Sequence, residues 1–476
     1  MIVAFAAGSG FQPWVKRLGH DTRWIVLMIV CAAALIDAAQ RLWIERSLPP
    51  RGLLRFGVLA GSFLVVAVIS TAWSVSPRLT FERAGSLAIL FLLAAALASS
   101  TARDVAARVR LFQGLAAGAI VVGVLGLFVL VLDYDVAALS GPGTWRYRGF
   151  TENPNTIAIL AAAALPLVFG LALRPITRGR RAAWLASGLL LVASIIASES
   201  RGGLLAACGG TLLVAVFGVE GLRNRVAAVT ALVLVFGGGI ALRQTVEPPT
   251  APFSSQVAPA PSPPANTTTK PPKSGHQAGR GKKPGTRKRP ATPSSILPLI
   301  GKTSELPREV DEIGHPALSK KSTTVLASGR LAAWKGALEL IGDRPILGYG
   351  FGTEQKVFVD RWYFFEGGAT ENSYLGLLLQ LGAVGLAFIV AIGSALLAGG
   401  FAAVRVLRGD EQLLVLMTLG VLVAAAAIML IQSYLYSVGN VATATVWISL
   451  FALAPVALEP RAVAKRIRAA APEGIS

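Results

Sequence analysis

Residues 111–132, LFQGLAAGAIVVGVLGLFVLVL, carry no charged side chain, and Gln113 is their single amide. As an α-helix such a run is about 33 Å long, enough to cross a hydrocarbon layer of ~30 Å. In lipid the backbone must satisfy its own hydrogen bonds, so the run reads as a helix. Runs of the same kind recur outward from it, at 24–40, 53–73 and 84–100 on one side, then at 155–173, 182–198, 202–219, 226–242, 372–400, 412–432 and 440–458 on the other. The alternating pattern of an outer-membrane barrel is absent. Of the whole chain 54% is hydrophobic and 15% charged, with a mean hydropathy of +0.61, whereas soluble domains are ~25% charged. The fold class is therefore all-α: a polytopic transmembrane bundle of eleven or twelve helices, with one large external loop that holds an amphipathic helix.

The net charge of +20 would suit nucleic acid in a soluble protein. Here the cations sit in short loops, where they set orientation and meet anionic lipid, so membrane lipids are the expected partners and nucleic acid is not. Arg41, Arg46, Arg51 and Arg55 fall in one loop, Arg103, Arg108 and Arg110 in a second, and Arg174, Arg178, Arg180 and Arg181 in a third. Arg223 and Arg225, Arg405 and Arg408, and the tail residues Arg461, Lys465, Arg466 and Arg468 continue the series. The alternate loops hold only Arg78, Arg83, Arg146, Arg148 and Arg201. The positive-inside rule places the first set in the cytoplasm and the second outside. Met1–Ala7 is apolar but too short to span; it is either a re-entrant segment or the end of a further helix, which would make twelve. No cleavable signal peptide is evident.

Four regions follow: an N-terminal bundle over 1–242, an external loop over 243–371, three spans over 372–460, and a basic cytoplasmic tail over 461–476. Within the loop, 247–325 is basic and rich in Pro, Ser and Thr, and it cannot build a core. The ordered part, 329–371, places Leu331, Trp334, Leu338 and Ile341 at helical spacing. This is an amphipathic helix on the membrane or the bundle, ended by Asp343-Arg344-Pro345 and followed by a flexible turn at Gly348–Gly352. Cys31 and Cys208 lie in apolar runs and make neither a disulfide framework nor a metal site. With three histidines, His20, His276 and His315, the sequence calls for no metal and no cofactor.

Three external places set charge against the membrane. They are Trp145–Asn155, the turn Ser198-Glu199-Ser200-Arg201-Gly202-Gly203, and the end of the long loop with Arg330, Asp360, Arg361, Glu366 and Glu371. Ionisable groups at membrane depth are costly, and they usually face a cavity or a partner. Arg201 has no room for a loop around it; pairing with Glu199 or snorkelling is its plain alternative. Grouped with Arg146, Arg148 and Arg330, it suits a phosphate or pyrophosphate, whose oxygens a guanidinium fork binds in pairs.

Ser198–Gly203 resembles the SxSRGG turn of the O-antigen ligase and polymerase family. Gly329-Arg330, Trp334 and Pro345–Gly352 resemble that family's loop pattern. Glu371-Asn372-Ser373-Tyr374-Leu375, then Leu381–Leu386, resembles the pattern with which its chains return to the membrane. Arg148-Gly149-Phe150 with Asn153-Pro154-Asn155 is similar to an earlier external segment, and Trp73-Ser74 with Pro77 is a weaker match. The resemblance covers residues 70–390.

The resemblance implies a metal-independent, GT-C-like glycosyltransferase of the bacterial inner membrane with its site facing the exterior. It moves a glycan from an undecaprenyl-pyrophosphate donor to a hydroxyl of a glycan or glycolipid acceptor. Arg201 and Arg330 take the place of the family's phosphate-binding arginines. Glu371 stands where the family has its catalytic histidine, and a carboxylate can take the proton of an attacking hydroxyl. Arg146, Arg148, Asn153, Arg361, Asn372 and Tyr374 are the expected substrate-binding residues. Glu371 also reads as a helix N-terminal acid favoured by the dipole; the base then lies elsewhere, at Asp360, Glu366 or Glu152. The competing class is a transporter or a flippase of lipid-linked glycan. Against it, no internal repeat is clear, and Asp37 and Gln432 are the few polar residues inside spans.

Overall fold

The computed structural model describes residues 1–245, 330–358 and 370–465, apart from 9, 11–12, 45, 47, 142–143, 152 and 463–464. The Pro-rich segment expected over 247–325, and the candidates Glu152, Asp360, Arg361 and Glu366, lie outside these residues. The chain opens with α1 (Ile2–Gly8), α2 (Pro13–Trp43), α3 (Arg51–Ile69), α4 (Pro77–Thr101) and α5 (Val105–Leu132). One helical turn, α6 (Tyr134–Ala137), leads into a hairpin of β1 (Ala138–Gly141) and β2 (Thr144–Tyr147). Next come α7 (Pro154–Leu173), α8 (Arg178–Ala197), α9 (Arg201–Gly218) and α10 (Leu222–Thr245). The described chain resumes with α11 (Arg330–Asp343) and α12 (Glu354–Val357), then α13 (Ser373–Val406), α14 (Gly409–Met429) and α15 (Val441–Ala457).

Among the described residues, ten helices are long and apolar enough to cross a membrane, and α15 is a shorter apolar one. The eleven apolar runs fall one on each of these, and the fold is an all-α polytopic bundle. The helices start where their caps permit. Asn153, Thr177, Ser200, Asn372 and Asn440 each accept a backbone N–H of the first turn of α7, α8, α9, α13 and α15, which satisfies donors a helix leaves orphaned. Pro77 and Pro154 occupy first helical positions, where no N–H is needed.

Helix α15 is the axis of the bundle: every residue of it is buried, with Thr443, Thr445 and Ser449 the polar members. Helices α7 and α14 surround it, largely buried, while α10 is almost wholly exposed on the outside. At the crossing of α9 and α14, a Cβ on Gly210 would lie 2.5 Å from the Gly420 carbonyl oxygen. Two bare backbones thus touch there, as small residues allow between membrane helices. Ile2, Phe5 and Ala6 of α1 are buried, and Ile2 packs beside Gly118 of α5.

Contacts between the connections sort them into two sets, one at each end of the bundle. One end of the bundle carries the basic loops. Arg108, expected in a loop, is instead inside α5, 4% exposed, and its guanidinium is paired with Glu411 of α14. Arg174 pairs with Asp410 at 2.6 Å. Gln432, expected inside a span, lies in the turn after α14. That turn belongs to the opposite end, together with the α6–β1–β2 hairpin, the α8–α9 turn and the residues before α13.

The glycine-rich segment 348–352, expected to be flexible, is pinned. Gly382 breaks α13 with φ 62° and ψ −159°. The break frees the carbonyls of Leu379 and Gln380, which accept the N–H groups of Tyr349 and Gly350 at 3.0 and 2.8 Å. Ala383 N–H donates in turn to the Pro345 carbonyl at 2.8 Å. Trp73 Nε1 donates to the Leu347 carbonyl at 3.0 Å, so the Trp73-Ser74 segment closes over the same turn. Gly348, Gly350 and Gly352 all have φ between 62° and 105°, a region that favours glycine. The kinked helix and the turn therefore exchange hydrogen bonds that each would otherwise lack.

Candidate functional site

The turn between α8 and α9 is built from its own side chains. Ser198 Oγ donates to the Ile195 carbonyl at 2.6 Å, and Ser200 Oγ accepts from Gly203 N. Glu199 has φ 53°. Its carboxylate pairs with Arg243 at 2.8 Å. Arg201 begins α9 and is exposed. Gly202 faces Ile431, whose Cδ1 a Cβ on the glycine would meet at 1.4 Å.

That contact joins the turn to the segment preceding α13. Leu430 and Gln432, the neighbours of Ile431, present carbonyls to Asn372 Nδ2 at 3.0 Å and to Ser373 Oγ at 2.7 Å. Asn372 is 7% exposed, and its Oδ1 also caps Tyr374 and Leu375. Tyr374 donates its hydroxyl to the Ala426 carbonyl at 3.2 Å. Glu371 sits immediately before these anchors and is half-buried, with φ 51°. Such an angle is uncommon for a residue other than glycine.

The remaining candidates occupy several places. Arg146 donates to the Ser198 carbonyl at 2.9 Å and to Asn155 Oδ1 at 3.1 Å, bracing the α8–α9 turn against the start of α7. Arg148 is 4% exposed and donates to the carbonyls of Val136 and Asp135, which holds α6 on the hairpin. Asn153 caps α7. Arg330 opens α11, whose Ala337 and Ile341 pack in one cluster with Leu379 of α13. Trp334 Nε1 donates to the Thr370 carbonyl at 3.1 Å, tying α11 to the residue before Glu371.

Two groups went unnoticed in the sequence. Arg243, at the end of α10, bonds the Trp145 carbonyl at 2.6 Å and lies over the Trp145 ring at 5.2 Å. That ring stacks on Tyr134 at 6.0 Å. Below them, α5, α8 and α10 enclose an apolar groove of about 690 Å³, lined by Leu189, Val192, Ile196, Val235 and Leu242 among others. Its signal was an arginine on the side where basic residues are sparse. The other is Glu354 of α12, 5% exposed, with Thr370, Ser433, Tyr436 and Gln380 as hydrogen-bond partners. Beside it lies a polar cavity of about 80 Å³, walled by Arg83, Gln355 and Tyr436. Burial, then the Glu354 and Glu371 carboxylates, push the Tyr436 hydroxyl well above its ordinary pKa. Among the described residues, no His, Cys, Asp and Glu side chains are grouped to hold a metal ion.

A bundle of apolar helices of this length is the build of a multi-pass membrane protein. Residues 185–390 match the family model for O-Antigen ligase. This match, which runs from α8 to the kinked part of α13, is to the family whose motifs the sequence resembles. No curated protein matches the chain.

Proposed function

We propose that the chain transfers a glycan from a polyprenyl-pyrophosphate carrier to an acceptor hydroxyl at the external face of the inner membrane. The observation that supports this best is the placing of the arginine-bearing α8–α9 turn. It lies at the polar end of an apolar groove and, through Ile431, against the segment that carries Glu371. A donor with an isoprenoid tail and an anionic head needs both surfaces together. The groove takes part of the tail, and Arg201 and Arg330 meet the pyrophosphate.

In this mechanism the glycosidic bond to the pyrophosphate breaks as the acceptor oxygen attacks the anomeric carbon. Arg201 and Arg330 hold the charge that develops on the leaving group, the task a metal performs in other enzymes. Glu371 accepts the acceptor's proton. Arg146 keeps the α8–α9 turn in place, and Arg148, Asn153, Arg361, Asn372 and Tyr374 are the residues assigned to binding the substrate. Binding is tested by thermal unfolding of the purified protein with a polyprenyl pyrophosphate. Stabilisation that is lost in Arg201→Ala and absent with a neutral polyprenol supports the reading. Equal stabilisation by the neutral polyprenol contradicts it.

A further inference from the structure

Glu354 is a buried carboxylate that the transfer mechanism does not use, and its partners show what it does. Oε1 accepts the Thr370 backbone N–H at 2.7 Å and the Ser433 hydroxyl at 2.8 Å. Thr370 Oγ1 lies 2.8 Å from Oε1 and 2.8 Å from the Asn372 carbonyl, so its one proton is shared between these two acceptors. Oε2 accepts the Tyr436 hydroxyl, with Gln380 Nε2 at 3.4 Å. A carboxylate has about four acceptor sites, so these donors saturate it. A saturated anion is poorly suited to take a proton from substrate. It is well suited to fix the groups that donate to it, because each of them would otherwise be left buried beside an unmatched charge.

Those groups bracket one residue. Thr370 precedes Glu371 and is held directly; Asn372 follows it and donates its N–H to Ser433 Oγ at 3.2 Å, so it is held through the same anion. Glu371 between them has φ 51°, and such a conformation persists only where its surroundings enforce it. Because Glu354 follows the pinned Gly348–Gly352 turn, the network also links that turn to the Glu371 segment. Resting on the reading of Glu371 as the base, we propose that Glu354 is a positioning residue, an anionic staple that presets the backbone and carboxylate of Glu371 for proton transfer.

The test has a kinetic and a spectroscopic arm, both on the full chain. In a glycan-transfer assay, Glu354→Gln lowers kcat by about a hundredfold, the scale of a small misplacement of a catalytic group, and leaves the donor KM nearly unchanged. Thr370→Ser keeps the hydroxyl and behaves as the parent, whereas Thr370→Val falls towards Glu354→Gln. In the second arm Cys31 and Cys208 are replaced by Ser, and a nitroxide is attached at Glu371→Cys. Its spectrum is immobilised in the parent and gains a mobile component with Glu354→Gln. If Glu371→Gln abolishes transfer and Glu354→Gln leaves kcat unchanged, the positioning role is overturned. If Glu371→Gln leaves transfer intact, the base assignment fails, and the nitroxide alone decides the role of Glu354. An unchanged nitroxide spectrum overturns the proposal whatever the kinetics show.

Discussion

Gly202 and Ile431 touch so closely that a single methyl on the glycine would lie 1.4 Å from Ile431 Cδ1. The contact is the seam between the arginine turn and the Glu371 segment, and added volume there requires the Ile431 side chain to turn aside. Gly202→Ala is expected to destabilise the protein by about 1–3 kcal/mol, the usual cost of overpacking. Ile431→Ala in the same chain should recover part of that loss by making room. Thermal unfolding in detergent checks both; a neutral Gly202→Ala would mean the seam is loose.

Gly382 is a second point where one atom decides the structure. A Cβ there would stand 2.2 Å from the Ile346 carbonyl carbon and oxygen, on a residue with φ 62°. Gly382→Ala should cost at least about 1–3 kcal/mol from backbone strain and crowding, and it should loosen the Gly348–Gly352 turn. Hydrogen exchange reads this directly: the Tyr349 and Gly350 amides, protected by Leu379 and Gln380, should exchange faster in the variant while α15 stays protected.

The buried pair Arg108–Glu411, with side chains 5% and 11% exposed, has an asymmetric energetic signature. Removing one partner, as in Arg108→Met, leaves a buried charge and should cost about 3–5 kcal/mol. Replacing both, as in Arg108→Met with Glu411→Leu, should return most of the stability. A double-mutant cycle measured by unfolding gives the coupling; additive losses would contradict a buried pair.

Alkaline pH provides a further test. Burial and then Glu354 raise the Tyr436 hydroxyl well above its ordinary pKa. The neutral phenol is therefore favoured in the fold. Its contribution is fully present below about pH 10, the pKa of a free tyrosine, and is lost as pH rises beyond it. Tyr436→Phe should lower Tm at neutral pH, where Glu354 loses a donor, yet show a shallower fall above pH ~10. Tyr147 and Tyr434, also raised by burial, keep part of that fall, so the slope should decrease without vanishing. Parallel curves for parent and variant would count against a strained, buried phenol.

The helices were legible because a charge-free run of span length has one viable structure in lipid, and caps such as Asn153 and Asn372 stand where those runs begin. The motif turns were legible too, as polar groups where apolar ones are expected. What escaped depends on contacts distant in sequence. Nothing local marks Gly382 as a kink whose freed carbonyls bind residues thirty positions earlier, so the glycine-rich turn read as flexible. Arg108 read as a loop cation because its partner Glu411 is far along the chain. Arg148 reads as a substrate-binding arginine, and the sequence does not show that its guanidinium also donates to the carbonyls of Val136 and Asp135 beside the hairpin. Glu354 gave no signal, since its meaning comes from Thr370, Ser433 and Tyr436, which only the fold assembles.

Glycan transfer by the purified protein in nanodiscs tests the central claim most directly, with undecaprenyl-pyrophosphate oligosaccharides as donors and EDTA present. The parent should transfer glycan, and Arg201→Ala, Arg330→Ala and Glu371→Gln should each lose at least about a hundredfold of the rate while remaining folded. Full activity in Arg201→Ala, or no transfer from any donor by a folded parent, would contradict the account and turn attention to transport.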